Sequence, residues 1–178
     1  MRDRLTRRSL RALMHELARS AGTDSPNDVY LVGGGTAVLE GWRDSSVDAD
    51  LHAARDDIFR DVQAIKERLR LNIELVRPEH FVPPLKDSAD RHVFIETIGR
   101  VSFYHYDPCA QLLSKIVRGF ERDLQDARSL VSSGMVDVGQ FRGLVKAIPD
   151  SAWSRYPRLS PGAVRRAVDE FLSDLRAP

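Results

Sequence analysis

Residues 29–53 read VYLVGGGTAVLEGWRDSSVDADLHA, and the order of residue types in this stretch decides the fold. Val29–Val32 is a short apolar run that predicts a strand, and it leads directly into three glycines at positions 33–35. Residues 36–42 resume a helical pattern. Residues 47–53 then alternate apolar and polar side chains with the period of two that predicts a half-buried strand. The stretch therefore predicts a strand, a glycine turn, a short helix and a second strand.

Outside this stretch the sequence predicts further helices and strands. Apolar residues three or four positions apart indicate helices, and short runs rich in β-branched residues indicate strands. The expected helices cover residues 3–20, 56–69, 107–132, 138–148 and 161–175, and the expected strands 71–76, 93–97 and 101–106. We therefore expect an α+β fold, in which a small mixed sheet is flanked by helices and followed by a helical C-terminal part.

The same pattern suggests two parts in the chain. Residues 1–106 would form the core with a basic N-terminal helix, and residues 107–178 a helical part packed on that core. In the helix expected over residues 107–132, Phe120 falls on the apolar inner face.

The composition is that of a near-neutral globular chain. Its 178 residues include 27 Lys and Arg against 26 Asp and Glu, and this net charge of +1 argues against a histone-like nucleic-acid binder. The single cysteine, Cys109, excludes an internal disulfide framework, and we expect it to pack in the core. No apolar run approaches the roughly 20 residues that span a bilayer, so we expect a cytoplasmic protein with no membrane partner.

Two aspartates stand on one face of the strand predicted over residues 47–53. Asp48 and Asp50 are two positions apart, so both carboxylates project to the side opposite Val47, Ala49 and Leu51. Paired carboxylates repel each other unless a cation lies between them, and Mg²⁺ prefers carboxylate oxygens together with substrate phosphates. The pair is therefore the candidate metal site, with a solvated strand face as the alternative.

A third carboxylate follows on the next predicted strand. Ile73 and Leu75 are expected to face the core, which leaves Asn72 and Glu74 on the other side. If this strand lies beside the first one, Glu74 joins the aspartate pair. Such a triad is typical of a centre that transfers a phosphoryl or nucleotidyl group, and a surface glutamate is the alternative.

The glycine turn is the candidate phosphate-binding element. Gly34, Gly35 and Thr36 stand at the start of the short predicted helix, where unpaired backbone N–H groups attract phosphate. A tight turn without a ligand is the alternative. No Gly-Lys-Ser/Thr follows, which excludes a P-loop, and the glycine spacing does not fit the dinucleotide-binding fingerprint.

These motifs together resemble a known group of enzymes. Gly34-Gly35-Thr36 followed by Asp48-Ala49-Asp50 resembles the nucleotidyltransferase (polymerase β-like) superfamily, in which a later strand supplies a third carboxylate. More narrowly, three runs are similar to small bacterial toxin nucleotidyltransferases of the AbiEii and MenT kind. These runs are Asn72-Ile73-Glu74-Leu75, Phe81-Val82-Pro83 and residues 99–106.

The resemblance implies an activity and a set of site residues. It implies transfer of a nucleoside monophosphate to an acceptor hydroxyl, the 3′ end of a tRNA, by a toxin that a cognate antitoxin protein restrains. Asp48, Asp50 and Glu74 would be the catalytic residues, and the two aspartates would bind Mg²⁺, with Mn²⁺ as the alternative. The implied nucleotide-binding residues are Gly34, Gly35, Thr36, Ser46, Lys115 and Arg118.

Two positions depart from the pattern of that group. Glu74 stands where many relatives carry Asp, which bears on metal geometry. Arg43 precedes Ser46 by three positions rather than two, so its place near a nucleotide is open.

Several roles stay open at this point. Lys115, Arg118 and Arg122 share one face of the helix expected over residues 107–132, and ion pairs with neighbouring acids are the alternative to phosphate binding. The N-terminal arginines either contact a polynucleotide or form a solvated face. The function has two rivals, which are AMP transfer to a protein hydroxyl and a non-catalytic module that binds RNA or the antitoxin.

Overall fold

The fold is α+β, as the sequence predicts, in a computed structural model that describes residues 2–21 and 26–175. Residues 1, 22–25 and 176–178, which belong to the ranges expected for the two parts, lie outside the described residues.

The described residues form two compact units. The first comprises the residues up to Arg77 together with His92–Tyr106, and the second comprises Pro78–Arg91 together with the residues from Asp107 onward. The proline-bearing loop after the third carboxylate therefore belongs to the second unit.

A five-stranded mixed sheet forms the centre of the first unit. The strands of the chain are β1 (Leu5–Thr6), β2 (Asn27–Val32), β3 (Ser45–Ser46), β4 (Asp48–Ala53), β5 (Asn72–Leu75), β6 (Val93–Ile98) and β7 (Val101–His105). The order in the sheet is β5-β4-β2-β7-β6, with β4 antiparallel to β2 and parallel to β5. β7 is parallel to β2 and antiparallel to β6, while β1 pairs with β3 apart from this sheet.

Helices and the sheet enclose one hydrophobic core in this unit. The helices are α1 (Arg7–Ser20), α2 (Gly34–Leu39) and α3 (Val62–Leu69). Thr6 precedes α1 and caps it, because its side chain accepts a hydrogen bond from the Ser9 backbone N–H, as is common at helix N-termini. The apolar face expected for α1 is confirmed, because four of its side chains are fully buried against inward-facing residues of the sheet. They are Leu10, Leu13, Met14 and Leu17.

The second unit is helical. It contains α4 (Pro108–Arg118), α5 (Glu121–Ser132), α6 (Val138–Lys146) and α7 (Pro161–Asp174). Across residues 2–21 and 26–175, the helices lack the combination of length and apolar character that crossing a membrane requires.

The single helix expected over residues 107–132 is wrong, because the chain breaks it into α4 and α5. Gly119 takes a φ of +68° and ends α4, a left-handed conformation that glycine adopts without the steric cost of a Cβ. Two expectations fail with it. Phe120 is 65% exposed rather than packed on an inner face, and Arg122 lies on a different helix from Lys115 and Arg118.

A buried aspartate anchors the start of α4. Asp107 is completely buried, and its carboxylate accepts a hydrogen bond from the Cys109 backbone N–H at 2.8 Å. Arg91 donates to the same carboxylate from Nε at 3.1 Å and from Nη2 at 2.7 Å. Burial, with the Asp107 charge as a lesser cause, raises the pKa of the Cys109 thiol to about 12. Cys109 is therefore a packing residue without thiolate character, as the sequence suggests.

Asp107→Ala should lower the free energy of unfolding by about 3 kcal/mol, because it leaves a largely buried guanidinium without its partner and removes a helix cap. Urea unfolding followed by circular dichroism measures the change. Asp150→Ala is the matched control, since Asp150 is 95% exposed in its pair with Arg165, and its stability should stay near that of the wild type. Equal stability of the two variants would contradict this account.

Candidate active site

The aspartate pair stands on the face of β4 that points away from the hydrophobic core. Ala49, Leu51 and Ala53 are buried, while Asp48 and Asp50 between them are partly accessible. The alternation expected for this strand is thus confirmed from Asp48 to Ala53, but not at Val47, which precedes the strand and is 55% exposed. The alternation places two carboxylates on one side of the sheet and three apolar side chains on the other.

Glu74 lies directly beside Asp50, because β5 pairs with β4 in parallel. In this register Asp48 is opposite Asn72, and Asp50 is opposite Glu74. Glu74 was expected to join the aspartate pair if its strand lies beside theirs, and β5 does lie beside β4. Leu75 was expected to face the core, and this is wrong: it is 48% exposed, at the end of a four-residue strand on the edge of the sheet.

An asparagine side chain joins the acidic residues. Asn72 donates from Nδ2 to Asp48 Oδ1 at 2.5 Å and to Glu74 Oε1 at 3.3 Å. The amide therefore holds the two carboxylates at a defined separation and offsets part of their mutual repulsion. The alternation of the sequence predicts the correct side of the strand for Asn72 but no role for its side chain. Its position two residues before Glu74 was the available signal.

The glycine turn follows β2 and passes close to the acidic residues. Val32 is the register partner of Asp50, so the chain leaves β2 beside that carboxylate. Gly33 has a φ of +55°, and a Cβ there would lie 2.8 Å from Asp50 Oδ2. A Cβ on Gly34 would lie 2.1 Å from the Ser46 Oγ atom. The first two glycines are thus required by the close approach of the turn to the β3–β4 segment.

Ser46 and Arg43 lie next to the turn. Ser46 is buried on β3, where it pairs with Leu5 of β1. One Nη atom of Arg43 is 3.7 Å from the place that a Gly34 Cβ would take. Despite the unusual spacing before Ser46, the guanidinium therefore comes close to the glycine turn.

Thr36 belongs to a buried network behind the turn. Its Oγ1 lies 3.1 Å from His105 Nδ1, and His105 Nε2 lies 2.8 Å from Glu40 Oε1. Burial lowers the pKa of His105, although the Glu40 carboxylate opposes the shift. A neutral ring that donates from Nε2 to the Glu40 carboxylate leaves Nδ1 as an acceptor, so the Thr36 hydroxyl shares its one proton between Nδ1 at 3.1 Å and the Leu31 carbonyl oxygen at 3.3 Å. This histidine links the end of β7 to Thr36 in α2 and to Glu40, the residue that follows α2.

A row of aromatic rings occupies the same side of the sheet, further along from the carboxylates. His52 follows Asp50 on β4, and its ring is 5.7 Å from that of Tyr30 on β2. The Tyr30 ring lies 5.6 Å from Tyr104 on β7, and Tyr104 lies 5.6 Å from Phe94 on β6. The register of four strands brings these four residues into one row.

Lys115 and Arg118, on α4 of the second unit, are held by acids of α5. Lys115 is buried, with its Nζ 2.6 Å from Asp126 Oδ2 and 3.7 Å from Asp123 Oδ1. Arg118 is half-exposed, and its Nε lies 3.2 Å from Asp123 Oδ2. The ion pairs weighed as the alternative to phosphate binding are present, and phosphate binding by either residue stays a prediction.

Some of the N-terminal arginines form contacts within the protein, and others are exposed. Arg11 forms an ion pair with Glu96 at 2.5 Å, and Arg4 donates to a serine hydroxyl at 2.7 Å. Arg7 and Arg8 are exposed and form no ion pair with any other residue that the structure describes. Their contact with a polynucleotide stays a prediction.

The carboxylate oxygens of Asp48 and Asp50 are compatible with a divalent ion that also binds a substrate. Within the described ranges, no group of three His, Cys, Asp or Glu residues is placed to hold a metal by itself. Asp48 and Asp50 do share one strand face, and Mg²⁺ is often bound by one or two carboxylates with phosphates completing its shell. The arrangement therefore fits a metal that arrives with a nucleotide better than a permanently closed metal centre.

Comparison with known proteins identifies a family. The family model described as nucleotidyltransferase of unknown function (DUF6036) matches residues 8–159, most of the chain. Neither the curated proteins nor the solved structures contain a match.

Gly33→Ala should destabilise the protein by about 1–3 kcal/mol, because the new Cβ meets a carboxylate and the backbone dihedrals are strained. Gly143→Ala is the control: Gly143 lies inside α6 with open space around it, and alanine there should stabilise the helix by up to about 1 kcal/mol. Thermal unfolding of both variants tests the pair. A Gly33→Ala variant as stable as the wild type would rule out the close approach of the turn.

The buried His105 predicts a pH dependence. The unfolded chain takes up a proton near pH 6.5, whereas the folded chain with its lowered His105 pKa does not until the pH is lower. Stability contributed by this residue is thus complete above about pH 6.5 and is lost as the pH falls below it. Urea unfolding at pH 7.5 and 5.5 measures how much unfolding free energy is lost between the two pH values. This loss should be smaller for His105→Gln than for the wild type. His15→Gln, at an exposed position, is the control and should lose as much unfolding free energy as the wild type. An equal loss in His105→Gln and the wild type would refute the prediction.

Proposed function

The chain belongs to the nucleotidyltransferase family of unknown function (DUF6036), and we propose that it transfers a nucleoside monophosphate from a nucleoside triphosphate to an acceptor hydroxyl. We further propose that the acceptor is the 3′ end of a tRNA and that the protein acts as the toxin of a toxin–antitoxin system. The observation that carries the chemistry is the β4–β5 register, which sets Glu74 beside Asp50 with Asp48 on the same face.

In this proposal Asp48 and Asp50 hold Mg²⁺ or Mn²⁺ together with the nucleotide phosphates. The ion supplies charge neutralisation on the phosphates and lowers the pKa of a bound hydroxyl. Asn72 keeps the Asp48 carboxylate in place through its 2.5 Å hydrogen bond. Removing the amide should therefore weaken metal and nucleotide binding without removing a metal ligand.

The transfer step forms a phosphoester bond to the acceptor and breaks the phosphoanhydride bond between the α- and β-phosphates. The acceptor oxygen attacks the α-phosphorus, the bond from that phosphorus to the bridging oxygen breaks, and pyrophosphate leaves. We assign the proton of the acceptor hydroxyl to the Glu74 carboxylate, which is exposed and so open to an incoming acceptor. A carboxylate in contact with the reacting hydroxyl is a suitable general base.

The glycine turn and its neighbours are the proposed nucleotide-binding elements. Gly34, Gly35 and Thr36 would meet the triphosphate through backbone N–H groups, and Ser46 through its hydroxyl. The close approach of the turn to Asp50 supports this role, because a phosphate held with an ion at that carboxylate would also lie near the turn. The Arg43 guanidinium near Gly34 adds positive charge at the same place.

Lys115 and Arg118 are the further phosphate ligands that the resemblance to AbiEii-like proteins implies. Their exposures differ, and this favours different roles. Phosphate could reach the buried Lys115 only by displacing Asp126, whereas Arg118 keeps 45% of its side chain exposed. We therefore propose Arg118 as the contact with phosphate and Lys115 as the residue that holds Asp123 and Asp126 in place behind it.

The test of the function is transfer of label from each α-³²P nucleoside triphosphate in the presence of Mg²⁺ and total tRNA. Wild-type protein should label tRNA with at least one nucleotide, and Asp48→Ala should not, because it lacks a metal ligand. Asp28→Asn is the matched control: it removes an acid from β2 of the same sheet, away from the β4–β5 pair, and should keep wild-type transfer.

Three other outcomes would change the proposal. Label on protein instead of tRNA would indicate AMP transfer to a protein hydroxyl. Binding of tRNA without transfer of any nucleotide would indicate a non-catalytic module. Transfer by Asp48→Ala at the wild-type rate would exclude the proposed metal site.

A further inference from the structure

Two exposed phenylalanines lie close to one arginine on the surface of the second unit. Phe81 is 44% exposed and Phe120 is 65% exposed. The guanidinium carbon of Arg118 lies 5.7 Å from the centre of the Phe81 ring and 5.8 Å from the centre of the Phe120 ring. We call these three residues the aromatic–arginine surface.

The break between α4 and α5 creates this surface. The left-handed Gly119 ends α4, and Phe120 then takes an extended conformation as the residue that precedes α5. In one continuous helix Phe120 would lie on the apolar face, whereas here its ring is exposed. Phe81 enters from the turn after Pro78–His80, which packs on α4 within the same unit.

An ion pair with Asp123 holds the guanidinium group of Arg118. Asp123 contacts Arg118 at Nε, and the buried Lys115 contacts both Asp123 and Asp126. Arg118 donates no hydrogen bond to any other residue in the described ranges. Its terminal nitrogens are thus available to an incoming anion, and the two aromatic rings lie close to the same guanidinium.

A single-stranded nucleic acid has the chemistry that such a surface recognises. Each base offers a π-face that stacks on an aromatic ring, and each phosphate offers a negative charge for a guanidinium. Exposed Arg122, close by at the start of α5, adds a second positive charge. An apolar partner alone would favour the two rings but would leave the guanidinium close to them without a counter-charge.

We propose that the aromatic–arginine surface binds single-stranded RNA, with bases stacked on Phe81 and Phe120 and a backbone phosphate on Arg118. This rests on the proposed function, since it assigns the surface to the single-stranded end of a nucleic-acid acceptor. It also specifies the phosphate that Arg118 meets, which then belongs to the polynucleotide rather than to the triphosphate.

The test measures binding rather than transfer, so it stands apart from the test of the reaction. Fluorescence anisotropy follows a fluorescein-labelled 12-nucleotide single-stranded RNA of mixed sequence, without nucleoside triphosphate, on the full-length Asp48→Ala protein. Adding Phe120→Ala or Phe81→Ala should weaken binding by roughly tenfold, as expected for the loss of one base–ring stack. Phe120→Trp should restore it, because the stacking face is kept.

Two controls separate stacking from other effects. Phe94→Ala removes another phenylalanine, 58% exposed and on the first unit, and should bind the RNA as the parent protein does. Arg118→Gln should reduce the slope of log Kd against log salt concentration by about 0.7, the value for one phosphate contact on a single strand. Circular dichroism confirms that each variant is folded.

Three results would overturn the proposal. They are no binding of the RNA by the parent protein, equal weakening by Phe94→Ala and Phe120→Ala, and unchanged binding in both Phe81→Ala and Phe120→Ala. If label is still transferred to an acceptor in any of these cases, the surface proposal fails while the proposed reaction stands. If the RNA binds through these rings but no nucleotide is transferred, the reaction fails and the surface proposal stands.

Discussion

The pairing of β4 with its two neighbours is the constraint on which the candidate site depends. Burial of Ala49 and Leu51 fixes which side of β4 faces the core, so the aspartates between them must face the other way. The parallel pairing with β5 then sets Glu74 beside Asp50, and the antiparallel pairing with β2 brings the glycine turn to the same carboxylate. A register slip of one residue would move all of these groups to the wrong face.

The part of the site that the sequence predicts is the part set by period-two alternation. Asp48 and Asp50 share a face because they are two positions apart, and the same rule places Asn72 and Glu74 together. The rule predicts which side chains share a face of a strand, but it does not predict which strands pair. The pairing of β5 with β4 therefore had to be assumed. The hydrogen bonds of Asn72 and the contact between Gly33 and Asp50 follow only from that pairing.

The second unit shows where helical periodicity fails. The apolar positions over residues 107–132 fit one helix, because a single left-handed glycine leaves the pattern on either side unchanged. In one helix Lys115 and Asp126 would be about 16 Å apart along the axis, yet their charged atoms are 2.6 Å apart. The reversal of the chain at Gly119 makes that ion pair possible, and it also turns Phe120 outward beside Arg118.

The central claim is that the acidic face of β4 and β5 binds a nucleoside triphosphate with a divalent ion, and calorimetry tests it most directly. A non-hydrolysable triphosphate analogue is titrated into the wild type, Asp50→Asn and Asp28→Asn, with Mg²⁺ and with a chelator instead. We expect Mg²⁺-dependent binding by the wild type and Asp28→Asn, and loss of that dependence in Asp50→Asn. Mg²⁺-dependent binding by Asp50→Asn with wild-type affinity would contradict the account.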